Sequence, residues 1–127
     1  VNLSIIANRL MGSSMDAKDI ILKAIRHRTS ENPIKSVELV NLCREYGFSL
    51  SNERVRDEIR LMRKEGVLIL SVSKTGGGYY MSQSMEDYLE FRNHNILPRV
   101  TDMQDTMKQM DRAAQREYKS IAQERLF

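Results

Sequence analysis

The stretch NERVRDEIRLMRKEGVLILSVSKTGGGYYM, residues 52 to 81, changes its hydrophobic period halfway along. Up to Glu65 the apolar residues Val55, Ile59 and Met62 recur at i, i+4 and i+7, the spacing of one narrow helical face, with charge almost everywhere else. Gly66 ends that pattern, since glycine readily takes the left-handed conformation that closes a helix. Val67 to Val72 is then short, apolar and partly β-branched, Ser73 to Gly78 is turn-forming, and Tyr79-Tyr80-Met81 is a second short run. Two strands around a glycine-rich turn predict a β-hairpin. Tyr79 and Tyr80 alternate across a strand, so one is expected in the core and the other exposed. The three glycines do not make a phosphate-cradling loop, because no Lys-Ser/Thr pair and no helix follows them.

Working back toward the amino terminus, Ser51 and Asn52 are both competent caps for this helix. Before them, Ser36 offers a cap for a helix whose apolar surface is Val37, Leu39, Val40, Cys43 and Tyr46 and which ends at Gly47. Phe48 and Leu50 can plug the corner between the two helices. Asp16 caps an earlier helix, from Ala17 to about Arg28, with Ile20, Ile21, Ala24 and Ile25 on one face. Thr29 to Lys35, with its Asn32-Pro33 step, reads as a loop.

Toward the carboxyl terminus, Ser84 and Asp87 resemble a capping box at the start of a helix carrying Met85, Tyr88, Leu89 and Phe91. Pro98 ends or kinks that helix, or opens a new one. Beyond it Ile96, Val100, Met103, Met107, Met110 and Ala114 alternate at spacings of four and three, as in a coiled-coil seam. Such a stripe joins two copies in a homodimer or packs back on the first helix. The expected organisation is a flexible leader, 1–14, a domain at 15–83 and a C-terminal helical extension at 84–127. The fold class is mainly α with a small β-hairpin.

Composition narrows the function classes. Hydrophobic residues make up 41% and charged residues 29% of 127 residues, a globular balance, and no apolar run approaches a membrane span. The first residues lack the basic start and apolar stretch of a signal peptide, so a cytoplasmic protein is expected. The single cysteine, Cys43, has no disulfide or thiolate partner, and His27 and His94 are far apart. No metal, no cofactor and no enzyme activity are expected, since no nucleophile with a paired base is visible. A net charge of +3 permits nucleic-acid binding without requiring it.

Three helices, a turn, a glycine and a hairpin in that order resemble the winged helix-turn-helix family of DNA-binding proteins. The residues carrying the resemblance are SVELVNLCREYGFSLS at 36–51, NERVRDEIRLMRKEG at 52–66 and VLILSVSKTGGGYYM at 67–81. The likeness is closest to small winged-helix proteins of phage and mobile-element gene clusters. It implies that the third helix enters the major groove while the hairpin meets adjacent backbone. With Val55, Ile59 and Met62 inward, Glu53, Asp57, Arg60 and Lys64 lie opposite and Arg54 and Arg56 flank them. Arg56 and Arg60 can reach guanine edges or phosphates, Asn52 can read adenine, and Ser51, Arg54, Arg63, Lys64 and Lys74 are candidate phosphate contacts. The expectation is a sequence-specific double-stranded DNA-binding protein acting in transcription regulation or replication. The competing reading is a protein-interaction module. Glu53, Asp57, Glu58 and Glu65 nearly balance the helix's five basic residues, and pairs such as Arg54 with Glu58 are worth only roughly a few tenths of a kcal/mol.

Overall fold

The computed structural model describes residues 15–73 and 76–126, with side chains as far as residue 119. The expected leader, 1–14, and Lys74 in the hairpin turn lie outside the described residues. The chain is mainly helical with one small antiparallel hairpin. It divides into two compact units, the first running to Leu89 and the second beginning at Glu90.

In the first unit α1 is Ala17–Arg26, α2 is Ser36–Glu45 and α3 is Asn52–Lys64. They are followed by β1, Ile69–Ser71, and β2, Tyr79–Met81, and by most of α4, Met85–Phe91. Asp16 starts α1 with a full capping box: its carboxylate accepts from the Asp19 N–H at 3.0 Å, and the Asp19 carboxylate accepts from the Asp16 N–H at 3.1 Å. The Asp19 N–H holds the Asp16 carboxyl below its usual range. This helix ends at Arg26, two residues before the predicted Arg28, because the Arg28 carbonyl is taken by the hairpin, accepting from the Met81 N–H at 3.3 Å.

Lys35, not Ser36, occupies the cap position of α2, and no side chain caps it. Ser36 is already helical, and its hydroxyl donates to Asn52 Oδ1 instead, at 3.1 Å. Helices α2 and α3 end alike. Phe48 N–H donates to the Cys43 carbonyl at 2.9 Å and Val67 N–H to the Met62 carbonyl at 3.0 Å, each across a glycine of positive φ. Both apolar residues that follow, Phe48 and Val67, turn back onto the core.

That core is built from Ile20, Ile21 and Ile25 of α1, Leu39, Val40 and Cys43 of α2, Val55, Ile59 and Met62 of α3, and Ile69 of β1. Each helix thus buries one stripe, as the three-helix reading requires. Val37 departs from it: half exposed, it lies outside the apolar face assigned to it.

The segment read as a loop holds a strand position. Ile34 N–H donates to the Tyr79 carbonyl at 2.9 Å, and Tyr79 N–H donates back to the Ile34 carbonyl at 2.8 Å. Ile34 is buried with the helices and lies on the edge of β2 away from β1. In the hairpin Ile69 pairs with Met81, Leu70 with Tyr80 and Ser71 with Tyr79. The first strand is shorter than the predicted run from Val67 to Val72, the second is the predicted Tyr79 to Met81, and Tyr79 and Tyr80 are both half-buried rather than one buried and one exposed.

Within the second unit a π-helical turn, Arg92–Ile96, precedes α5, Leu97–Leu126. Proline offers no N–H and its ring crowds the carbonyl four residues back, which for Pro98 is that of His94. Widening the helix just before Pro98 relieves that crowding. The Glu90 carbonyl, just before the widened turn, accepts from His94 Nδ1 at 2.9 Å. No helix among the described residues is long and apolar enough to cross a membrane.

Close packing of the hairpin generates an expected result. A Cβ at Gly78, where φ is +128°, would lie 2.7 Å from Pro33 Cβ, whereas one at Gly66, at φ +95°, would meet nothing within 4 Å. Gly66→Ala is expected to cost about 1–2 kcal/mol from backbone strain alone. Gly78→Ala carries the same strain and a further ~1–3 kcal/mol of overpacking against a rigid ring. Denaturant unfolding of the two variants checks the order; equal losses would show that the hairpin is not held against Pro33.

Candidate nucleic-acid interface

Helix α3 is held on both flanks, which decides what its outer face presents. On one side Lys18 Nζ of α1 lies 2.8 Å from Glu65 Oε2, and this bond raises the Lys18 ammonium above its ordinary value. On the other side Arg63 Nε donates to the Ile69 carbonyl at 2.7 Å, and its guanidinium lies 5.9 Å from the centre of the Tyr79 ring. At the amino end Ser51 Oγ accepts from the Arg54 N–H at 3.1 Å, and Asn52 is tied to Ser36.

Each predicted site residue can now be placed. Ser51 is exposed and serves as the cap of α3. Asn52 is exposed, but its carbonyl oxygen accepts from α2, so bidentate pairing with adenine requires giving up that bond. Arg54 is engaged with Glu58 at 3.2 Å, and Arg60 with Asp57 at 3.5 Å. Both guanidiniums are exposed, and such pairs exchange readily for a phosphate because they are weak in water. Arg56 and Lys64 are exposed, with no ion pair among the described residues. Arg63 is the exception: it is half-buried and turned toward the hairpin, where it joins α3 to β1 and β2.

Arg56 lies two turns before Arg63 on the same row of the helix, so it sits on the hairpin side of the exposed face. Arg60 and Lys64 continue that face outward. The acids are distributed differently from their count in the sequence. Glu65 is drawn to α1 and Glu58 is mostly buried against Arg54, which leaves Glu53 and Asp57 beside three cations. The exposed face of α3 therefore keeps a small positive excess.

Sequence reading missed Lys35. Its Nζ lies 3.4 Å from the point a Cβ would occupy at Gly76, so its ammonium stands against the tip of the hairpin. The signal was Ile34, a lone β-branched residue in the segment between two helices, whose side chain favours a pleated, half-buried surface. An extended Ile34 brings Lys35 to the hairpin by adjacency. Cys43 is buried, and burial pushes its thiol up, which keeps it protonated and unreactive. Among the described residues no cluster of histidine, cysteine and carboxylate side chains is placed to hold a metal ion.

Comparison with family models, with curated proteins and with solved structures returns no match for this chain.

The different surroundings of two arginines on one row of α3 are testable without any ligand. Arg63→Ala should destabilise the chain by about 1–3 kcal/mol, the cost of leaving a half-buried carbonyl without its charged donor. Arg56→Ala should change stability by less than about 0.5 kcal/mol. Urea midpoints of the two variants distinguish them; matching midpoints would show that Arg63 is surface rather than a strut.

Proposed function

We propose that this protein binds double-stranded DNA as a winged helix-turn-helix, with α3 in the major groove and the hairpin on adjacent backbone. The observation that carries the reading is the basic row Arg56, Arg60 and Lys64 on α3, beside a hairpin whose tip has Lys35 against it. Three helices and a hairpin follow one another in the order that the resemblance implies, and Ile34, between the first two helices, bridges to the hairpin. The groove is wide enough to admit a helix, and exposed guanidiniums one turn apart can reach base edges or flanking phosphates. Arg54 and Lys35 are assigned to backbone, and Lys74, outside the described residues, joins them by its position in the sequence between the two strands. Sequence specificity is assigned to Arg56 and Arg60, with Asn52 contributing once its bond to Ser36 opens.

Regulation of transcription or a part in replication are the roles a duplex-binding module of this kind serves. A second reading has its own observation. Leu61 is 46% exposed on α3, and Arg54 and Arg60 already have carboxylate partners, which suits a mixed-charge protein surface.

Salt separates the two readings. Duplex affinity should fall steeply as salt rises, because each neutralised phosphate releases counterions. Arg56→Ala with Arg60→Ala should weaken binding at least ~10-fold, and the salt dependence should become shallower by about one phosphate contact for each arginine that touches backbone. Thermal unfolding should be nearly unchanged. Absence of salt-sensitive duplex binding by the unaltered chain would overturn the DNA reading in favour of a protein partner.

A further inference from the structure

The second unit carries a feature the DNA reading does not use. Along α5 and the turn before it, Ile96, Leu97, Val100, Met103, Met107 and Met110 form one stripe. Every member is exposed, Met103 by 72%, Met107 by 58% and Met110 by 66%. From their exposure these side chains offer roughly 600 Å² of surface, so a pair of such helices can bury at most about 1,200 Å², the low end of specific protein interfaces.

We propose that this stripe is the seam of an antiparallel homodimer, with its two-fold axis near Asp105. The inference rests on the second unit alone and is independent of DNA binding.

Three properties of the sequence select a second copy in this direction. The spacing from Ile96 to Ala114 keeps one seam facing a like helix over the whole stretch. In an antiparallel pair centred on Asp105, Ile96 meets Ala114 of the second copy, Val100 meets Met110, and Met103 meets Met107. Small residues then face large ones at both ends, and flexible methionines fill the middle. A parallel pair in register would set Ala114 against Ala114, leaving a void, and Met103 against Met103, crowding the next layers.

Charge points the same way. Glu117 is the next seam position after Ala114, and a parallel pair would place two carboxylates face to face across an apolar contact. In the antiparallel register Glu117 falls beyond the overlap. The two copies of Ile96 then stand about 27 Å apart along the seam at a rise of about 1.5 Å per residue.

Sedimentation of the full chain at micromolar concentration should give a dimer. Met103→Glu with Met107→Glu should weaken association at least ~100-fold, because charge is then buried in the seam. Both positions are surface in the single chain, so its helical circular dichroism should persist. Orientation is read from a mixture of Ile96→Cys and Ala114→Cys chains under oxidation: 96-to-114 links should form, and 96-to-96 links should not. Cys43, buried in the first unit, does not compete. A monomeric unaltered chain overturns the homodimer, and preferential 96-to-96 linkage overturns the antiparallel direction.

Discussion

Two hydrogen bonds between Ile34 and Tyr79, at 2.9 and 2.8 Å, hold the first unit to its shape. A hairpin with strands of three residues is not stable in water by itself, because it buries too little to offset its ordering. Here β2 is bound on both edges, by β1 on one and by Ile34 on the other. Ile34 is at the same time a core residue among the helices, so the same residue that extends the sheet also anchors it. Arg63 completes the attachment from α3, and the Arg28 carbonyl completes it from the end of α1. The angle between hairpin and α3 is therefore set by buried groups.

This constraint also sorts charge. Arg63 is drawn inward by the carbonyl of Ile69 and the face of Tyr79, and Glu65 is drawn toward Lys18. Removing one cation and one anion from the exposed face leaves the net count almost unchanged, yet the distribution changes. What remains on the exposed face is Arg56, Arg60 and Lys64 beside Glu53 and Asp57, with Lys35, just before α2, standing against the hairpin tip. Five bases against four acids on one helix is a poor guide to an interface, because the fold decides which of them share a face.

Helix existence and type were legible because each helix carries its own local evidence. Asp16 caps α1, Ser51 caps α3, and glycines close α2 and α3, with apolar stripes between them. The hairpin was legible from Gly76 to Gly78 and from the loss of helical period after Gly66. What was not legible depends on partners distant in sequence. Ser36 has the chemistry of a cap and is captured by Asn52, sixteen residues away. Ile34 has no strand of its own and acquires one only because Tyr79 is brought beside it. Arg63 is indistinguishable from Arg56 by residue type, and only the position of β1 separates strut from surface. Most of the residues named as candidate contacts are exposed, while Arg63, named with them, is turned inward to fix the hairpin.

Unit two poses the opposite problem, since its local pattern is clear and its partner is not contained in one chain. Pro98 forces the π-helical turn at Arg92–Ile96, and that turn adds a residue to the helical count, so an apolar stripe cannot run in phase through it. The seam must therefore begin at the end of the turn, with Ile96. Methionine fills irregular space and specifies direction weakly, so Met103, Met107 and Met110 supply area without choosing an orientation. The choice falls to the two residues that break the apolar pattern. Ala114 needs something large opposite it, and Glu117 needs to lie outside the contact; one antiparallel register meets both demands.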